Sequence, residues 1–378
     1  MADRVGKADS TTLYDGPRSV EPEEYASAIS LINRCLRPNS PPSILKEYPL
    51  VLGKKNMQNM RVIVNDGRVI SHAGVYFQTL RSGKLAFRAG GIGSVATDPE
   101  FRGKGLASAV VEDCLRLMSE AGCHLAVLWT QRHSFYRRFG FELAGSEYLY
   151  QLNSNSIRPA DRRPPRFAPY TPDYLPEIIR IHEREALRTE RSPREYEVYF
   201  SLPKTKTLLA VREGVVTAYA VMGKGEDFPN CVHEWGGSAD DVLWLTQKMA
   251  SERRDQEIIF LASAEENEMT NRLQRARARR VFEYLAMMKI VNPADLSSEI
   301  SRHFFDDDMQ FKIVPYENEV SVEAGKVRAR LANERMVVRL LFGPDRPANL
   351  LKSCSPTMNR TLKNILPIPL FIWGLDSV

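Results

Sequence analysis

The stretch Ser94 to Ala107, SVATDPEFRGKGLA, constrains this chain more than any other. It is the end of an apolar strand, an acidic, proline-containing turn, and then Arg102-Gly103-Lys104-Gly105 opening into a helix. Gly103 and Gly105 leave the backbone uncovered and free to take dihedrals that other residues avoid. The helix beginning near Leu106 presents unpaired N–H groups and the positive end of its dipole. Arg102 and Lys104 add cationic charge, and Ala107 is small enough for the helix to pack close. Such a loop suits a phosphate. Taken alone, the same residues also fit a tight turn with surface charges. The spacings GxxxxGK[ST] and GxGxxG are both missing, which excludes a Walker loop and a dinucleotide fingerprint.

The periodicity around the loop predicts an α/β (α+β) layer fold with a mixed, mainly antiparallel sheet and one crossover. Tyr25, Ala28, Ile29, Ile32 and Leu36 share one face of a helix over residues 23–36, and a short helical piece covers 44–52. Strands at 61–64 and 69–77 flank Asn65-Asp66-Gly67-Arg68, a hairpin signal. A further apolar segment runs through Gly90-Gly91-Ile92-Gly93 into the loop. Then come a helix carrying Ala107, Val110, Val111, Cys114, Leu115 and Met118, a strand at 124–129, helical turns at 134–138 and a strand at 141–152. After a segment rich in proline and arginine (residues 153–176), helix, hairpin, helix and strand recur at 175–187, 208–221, 242–250 and 258–262. No glycine-rich loop interrupts this second unit. From Pro293 a smaller unit reads as four strands, 309–314, 319–322, 327–331 and 336–341. Residues 348–365 read as helical, and the apolar ending LPIPLFIWGLDSV should pack against the rest.

A second stretch carrying chemistry is Ser134 to Phe141, SFYRRFGF. Its three phenylalanines should bury, leaving Tyr136 in a short turn with two arginines. A phenol, with an ordinary pKa near 10, stays protonated at neutral pH and can act as an acid toward a departing thiolate. A structural hydrogen bond is the alternative role.

Together the two stretches resemble the GCN5-related N-acetyltransferase (GNAT) superfamily. Arg102-Gly103-Lys104-Gly105-Leu106-Ala107 matches its pyrophosphate motif R/Q-x-x-G-x-G/A, and Tyr136 with Phe139-Gly140-Phe141 matches its later signature. The whole chain is similar to the Eis-type branch. The resemblance implies an N-terminal GNAT domain (1–155) and a second GNAT-like domain without the cofactor motif (156–288). It also implies a small sterol-carrier-protein-like α/β domain (289–378), whose approach resembles Met287 to Asn292. The implied activity is transfer of an acetyl group from acetyl-CoA to a primary amine in a ternary complex. The acceptor is a small molecule or a peptide: an aminoglycoside, a polyamine, a small amine or a lysine side chain. The pyrophosphate would lie on the amides of residues 103–107, and the pantetheine arm along Val95 and Thr97. Tyr136 would be the acid, and the carboxylate of Val378 the base or its positioner. The branch also implies a homo-oligomer, commonly a hexamer. A non-catalytic acyl-CoA sensor and a lipid carrier are the competing readings.

Composition narrows the classes further. A net charge of +5 on 378 residues with 26% charged side chains does not imply nucleic acid. The start MADRVGKADS has no apolar core, and no run approaches the roughly 20 apolar residues of a membrane span. Five scattered cysteines without metal spacing fit a reduced, cytoplasmic compartment. The six histidines show no metal spacing, and Asp306-Asp307-Asp308 lacks the alternation of a calcium loop. His133 lies near the proposed site. His233-Glu234-Trp235 reads as packing or as the lining of an acceptor groove. Arg272, Arg275, Arg277, Arg279 and Arg280 read as a charged helical face or a subunit contact.

Overall fold

The structure is a computed structural model describing residues 14–39, 43–155, 157, 159–160, 163–253, 257–275, 278–305, 310–315, 319–324, 327–351 and 362–378. The sequence expectations for the first ten residues, the aspartates at 306–308, Arg277, Cys354 and most of 348–365 fall outside these residues.

The first part of the chain runs β1 (Asp15–Ser19), α1 (Tyr25–Leu36), α2 (Ile44–Glu47), α3 (Pro49–Leu52), β2 (Met60–Asn65), β3 (Arg68–Ser82) and β4 (Leu85–Thr97). It continues with α4 (Leu106–Glu120), β5 (Leu125–Leu128), α5 (His133–Arg137), β6 (Glu142–Ala144) and β7 (Glu147–Asn153). Helix α1 buries Tyr25, Ala28, Leu31 and Ile32, while Leu36 at its end stays exposed. Helix α4 packs Val110, Val111, Cys114 and Met118 against one face of the sheet, and α1 covers the other. All neighbours in this sheet are antiparallel except β4 and β5, which the crossover through α4 makes parallel.

Next come β8 (Arg166–Pro169), α6 (Leu175–His182), β9 (Leu187–Glu190), α7 (Pro193–Phe200), β10 (Lys206–Arg212), β11 (Val215–Lys224) and β12 (Asp227–Gly237). They are followed by α8 (Ala239–Ser251), β13 (Glu257–Ser263), α9 (Glu268–Arg275), β14 (Arg279–Glu283) and β15 (Ala286–Ile290). The first sheet has the order β1-β2-β3-β4-β5-β15-β6, with β9 also on β3. The second has the order β14-β7-β13-β12-β11-β10-β8 and likewise one parallel pair, β12 and β13. The two sheets exchange a strand. β15 inserts between β5 and β6, and β7 leaves its own hairpin partner to insert between β13 and β14. The basic cluster does not form one helical face: α9 ends at Arg275, and Arg279 and Arg280 lie on exposed β14.

The last part holds α10 (Pro293–Phe304), a three-stranded antiparallel sheet of β16 (Phe311–Pro315), β17 (Val320–Ala324) and β18 (Val327–Leu331), α11 (Glu334–Phe342) and α12 (Pro347–Leu350). The fourth strand expected at 336–341 is a helix. Asn333 caps it by accepting from the Met336 amide at 3.2 Å, and Val337, Val338, Leu340 and Leu341 bury at helical spacing. The ending is packed as its apolarity requires: Ile368, Leu370, Phe371, Ile372, Trp373 and Leu375 are all buried. Among the described residues no helix is long and apolar enough to cross a membrane.

Candidate active site

The loop between β4 and α4 has the geometry an anion needs. Gly103 and Gly105 have φ of +78° and +80°, and Gly105 is the N-cap of α4. Among the described residues no acceptor takes the amides of Gly103, Lys104 or Gly105, and the first turn of α4 carries no acidic side chain. Asp98 fixes the start of the loop. Its carboxylate accepts from the Glu100 amide at 3.2 Å and pairs with Arg34 and Arg68. The corresponding junction in the second sheet is closed. Only Ser238 separates β12 from α8, and Asp240 and Asp241 stand in the first turn of α8.

A groove of about 530 Å³ runs along this loop. It is lined by Val95, Thr97, Arg102, Gly103, Gly105, Leu106, Ala107 and Tyr136 from the sequence reading. Lys104 does not line it; its ammonium sits 4.9 Å above the Phe101 ring and donates to the Tyr14 hydroxyl at 3.3 Å. Three lining cations and a thiol were not anticipated as a set. Arg132 and Arg138 come from the turn around Tyr136, Arg102 donates to the Thr97 carbonyl at 3.3 Å, and Cys35 reaches in from α1. Arg138 was visible in the SFYRRFGF stretch, but nothing local marked Cys35. His133 opens α5 and is not among the lining residues.

The strand beside the groove is frayed on one edge. β4 pairs with β5 only through Ala89, Gly90 and Gly91, then continues to Thr97. Residues 92–97 thus run past the end of β5 with that backbone edge unpaired by it, as an extended ligand requires. On the β3 side, Ser94 and Val95 stand opposite the single residue Ala73, a bulge in which Ser94 takes φ +55°. His72, fully buried, holds the bulge through Nδ1 and the Ser94 carbonyl at 2.9 Å. Burial pushes its pKa down to about 4, so the ring is neutral and Nδ1–H donates.

Tyr136 is buried on the α4 side of β4, packed edge-on to Phe135 and Phe141. Burial pushes its phenol up to about 12, against a smaller opposing pull from Arg132. Val378 lies on the opposite face, with the α1 cluster and against Gly91 and Gly93. Strand β4 therefore stands between Tyr136 and Val378, and Val378 is not among the residues that line the groove.

The tail is anchored by a buried charge group that sequence reading missed. Arg191 donates to Asp376 at 2.7 Å and to Glu234 at 2.5 and 3.1 Å, all three side chains being essentially sealed from water. Lys224 donates to the carbonyls of Gly374 and Ser377. His233-Glu234-Trp235 is thus packing: Glu234 anchors the tail, and Trp235 donates to the Leu261 carbonyl at 2.8 Å.

Residues 17–144 match the acetyltransferase (GNAT) domain family. The N-terminal unit is thus an acetyltransferase domain, and the chain is an enzyme of the N-acetyltransferase kind. No curated protein matches the chain by sequence. A GCN5-related N-acetyltransferase from Anabaena variabilis superposes with a TM-score of 0.72 at 16% identity, covering 96% of this chain and 99% of its own. A probable N-acyltransferase from Enterococcus faecalis gives 0.70 at 13% identity, covering 96% and 98%. Eis1 from Mycobacterium abscessus gives 0.65 at 15% identity, covering 96% and 99%. At these identities the likeness is one of fold, and it extends over nearly the whole chain.

Proposed function

We propose that the protein transfers an acetyl group from acetyl-CoA to a primary amine by direct attack, with one active site per chain at the groove beside α4. The observation that carries this reading is the meeting, in one groove, of the unpaired amides of the Gly103–Gly105 loop, the uncovered edge of β4 and the hydroxyl of Tyr136. In this reading the donor's pyrophosphate takes the amides of residues 103–107, with Arg102 beside it. The pantetheine arm pairs with the β4 backbone near Val95 and Thr97. An amide at the bulge polarises the thioester carbonyl. The amine attacks, a tetrahedral species forms, and the C–S bond breaks as the N–C bond is completed.

The high pKa of Tyr136 refines its role. A phenol near 12 holds its proton more firmly than a thiol of about 8.5, so full transfer to the sulfur is uphill. Tyr136 instead steadies the departing thiolate by donating a hydrogen bond, and the sulfur's proton comes in the end from the ammonium that forms on the acceptor. The Val378 carboxylate, on the other face of β4, receives or relays that proton. The second sheet, with Ser238 and two aspartates where the loop would be, serves as a scaffold, so that residues 1–155, 156–288 and 289–378 act as catalytic, supporting and tail-delivering units. The cavity between α10 and β16 mixes Ser297, Ser301, Arg302 and Lys312 with Phe305, Phe311 and Ile313, and so is not the wholly apolar cavity that a lipid carrier needs. Assembly as a homo-oligomer, up to a hexamer, and a cytoplasmic setting belong to the same reading.

The test is thiol release from acetyl-CoA by the full chain over a panel of polyamines, aminoglycosides, small amines and lysine peptides. Release with at least one primary amine, and none with tertiary amines, is the expected result. Tight CoA binding with no release for any acceptor would favour the sensor instead.

A further inference from the structure

A second cavity, of about 480 Å³, lies at the far end of the β3–β4 hairpin. From Leu85, which lines it, to Val95 is ten positions along β4, on the order of 30 Å at strand spacing. It is therefore separate from the transfer groove. All three parts of the chain build it: the hairpin and the approach to β9, the segment after β13, the end of α10, and the tail from Pro369 to Trp373.

Its walls are aromatic and its charge is acidic. Phe371 and Trp373 meet edge-to-face at 4.8 Å, and Trp373 meets Trp235 in the same way at 5.5 Å. All three rings line the cavity, and an aromatic face turned to it is where a cation would sit. Among the described residues the Trp373 indole N–H is buried without a partner. Three carboxylates, Glu185, Glu265 and Glu266, line the cavity against one lysine, Lys84, while His303 stands 3.4 Å from Glu299. Burial pushes the Glu185 carboxyl above its ordinary range, against a smaller opposing pull from Arg188. Ser82 donates to the Pro369 carbonyl at 2.6 Å, so the cavity wall and the tail are tied together.

We propose that this cavity is a binding site for a small organic ammonium with an aromatic or alkyl body, distinct from the acceptor site, and that its occupant braces the tail segment that ends in Val378. The rings hold the apolar body and face the cation; the carboxylates supply its counter-charge. A neutral molecule of the same shape keeps only the first of these contacts.

The test titrates phenethylammonium into the full-length protein, without acetyl-CoA, and follows tryptophan emission and the melting temperature. The expected result is a saturable change in emission with a rise in melting temperature. The neutral analogue 2-phenylethanol should bind about tenfold or more weaker, and Glu265→Gln with Glu266→Gln should weaken the amine by about fivefold or more. Leu187→Arg, which puts a guanidinium into the cavity, should abolish binding and leave CoA affinity unchanged. Equal binding of the alcohol, unchanged binding in a folded Leu187→Arg protein, or no saturation would overturn the proposal. Thiol release does not enter these measurements, so their failure and failure of the acetyl-transfer reading are separate results.

Discussion

Val378 lies directly against Gly93. A β-carbon on Gly93 would sit 2.9 Å from the C-terminal carbonyl carbon, and one on Gly91 would sit 2.5 Å from Val378 Cγ2. The space these glycines leave is filled by the end of the chain. Gly93→Ala should therefore displace the carboxylate from β4 and lower kcat by about 100-fold or more, within the range of a lost proton-transfer group. A chain lacking Val378 should match it, and combining the two changes should lower the rate no further. Full activity in the truncated chain would remove the carboxylate from the mechanism.

Tyr136→Phe keeps the ring packing and removes the one hydroxyl. We expect kcat to fall by about 100-fold, with acetyl-CoA affinity held within about twofold. The pH dependence has a definite sign. A phenol raised to about 12 stays neutral far into the alkaline range. The wild-type rate should accordingly show no falling limb below about pH 10 from this group. A limb near pH 9 that Tyr136→Phe abolishes would contradict the buried setting.

At Gly105 the constraint is conformational, since a β-carbon there meets nothing within 4 Å. Its φ of +80° is what excludes other residues. Gly105→Ala should strain the loop by roughly 1–2 kcal/mol and raise the acetyl-CoA KM by about tenfold, with kcat kept once donor is saturating. Gly105→Asn should be milder, because asparagine tolerates left-handed backbone. Equal losses in both would point to a steric rather than a conformational cause.

The loop, the helix behind it and Tyr136 were legible because each depends on neighbours in sequence. Positive-φ glycines at a helix start are local chemistry, and so is a tyrosine in a turn before Phe139-Gly140-Phe141. The strand exchange was not legible. Nothing within residues 147–153 says that they pair with 257–263 rather than with 142–144, because a strand's pattern fixes its faces and not its partner. Residues 336–341 read as a strand because their apolar side chains fit either period, until the Asn333 cap settles it. Arg191, Glu234 and Asp376 meet across 185 positions of chain, and each alone reads as a surface charge.

Three buried histidines give the fold an acid limit. Burial lowers His72 and His233 to about 4 and His182 to about 3, from an ordinary 6.5. The unfolded chain takes up these protons before the folded one does. Stability is then full above about pH 6.5 and falls as the pH drops toward 4. Melting temperatures across that window should show the slope, and His72→Asn, which can still donate to the Ser94 carbonyl, should flatten part of it. An unchanged slope would mean that other groups set the acid limit.

The buried charge group makes the tail an all-or-none element. Arg191→Met leaves Glu234 and Asp376 sealed from water without their cation, a loss of about 3–5 kcal/mol where a buried pair is broken from one side. The tail is the part that can leave, because Asp376 sits in a short 3-10 turn outside the sheets while Glu234 is fixed in β12. Arg191→Met should therefore lose activity to about the level of the Val378 deletion and expose the tail to carboxypeptidase, while CoA binding at the distant loop survives. Replacing all three partners with apolar residues of similar size should recover most of the melting temperature, since a buried ion group is often no more stable than good packing. If that triple variant also recovers activity, the charges serve only to hold the tail; if it stays inactive with the tail protected, they act on the transfer site itself.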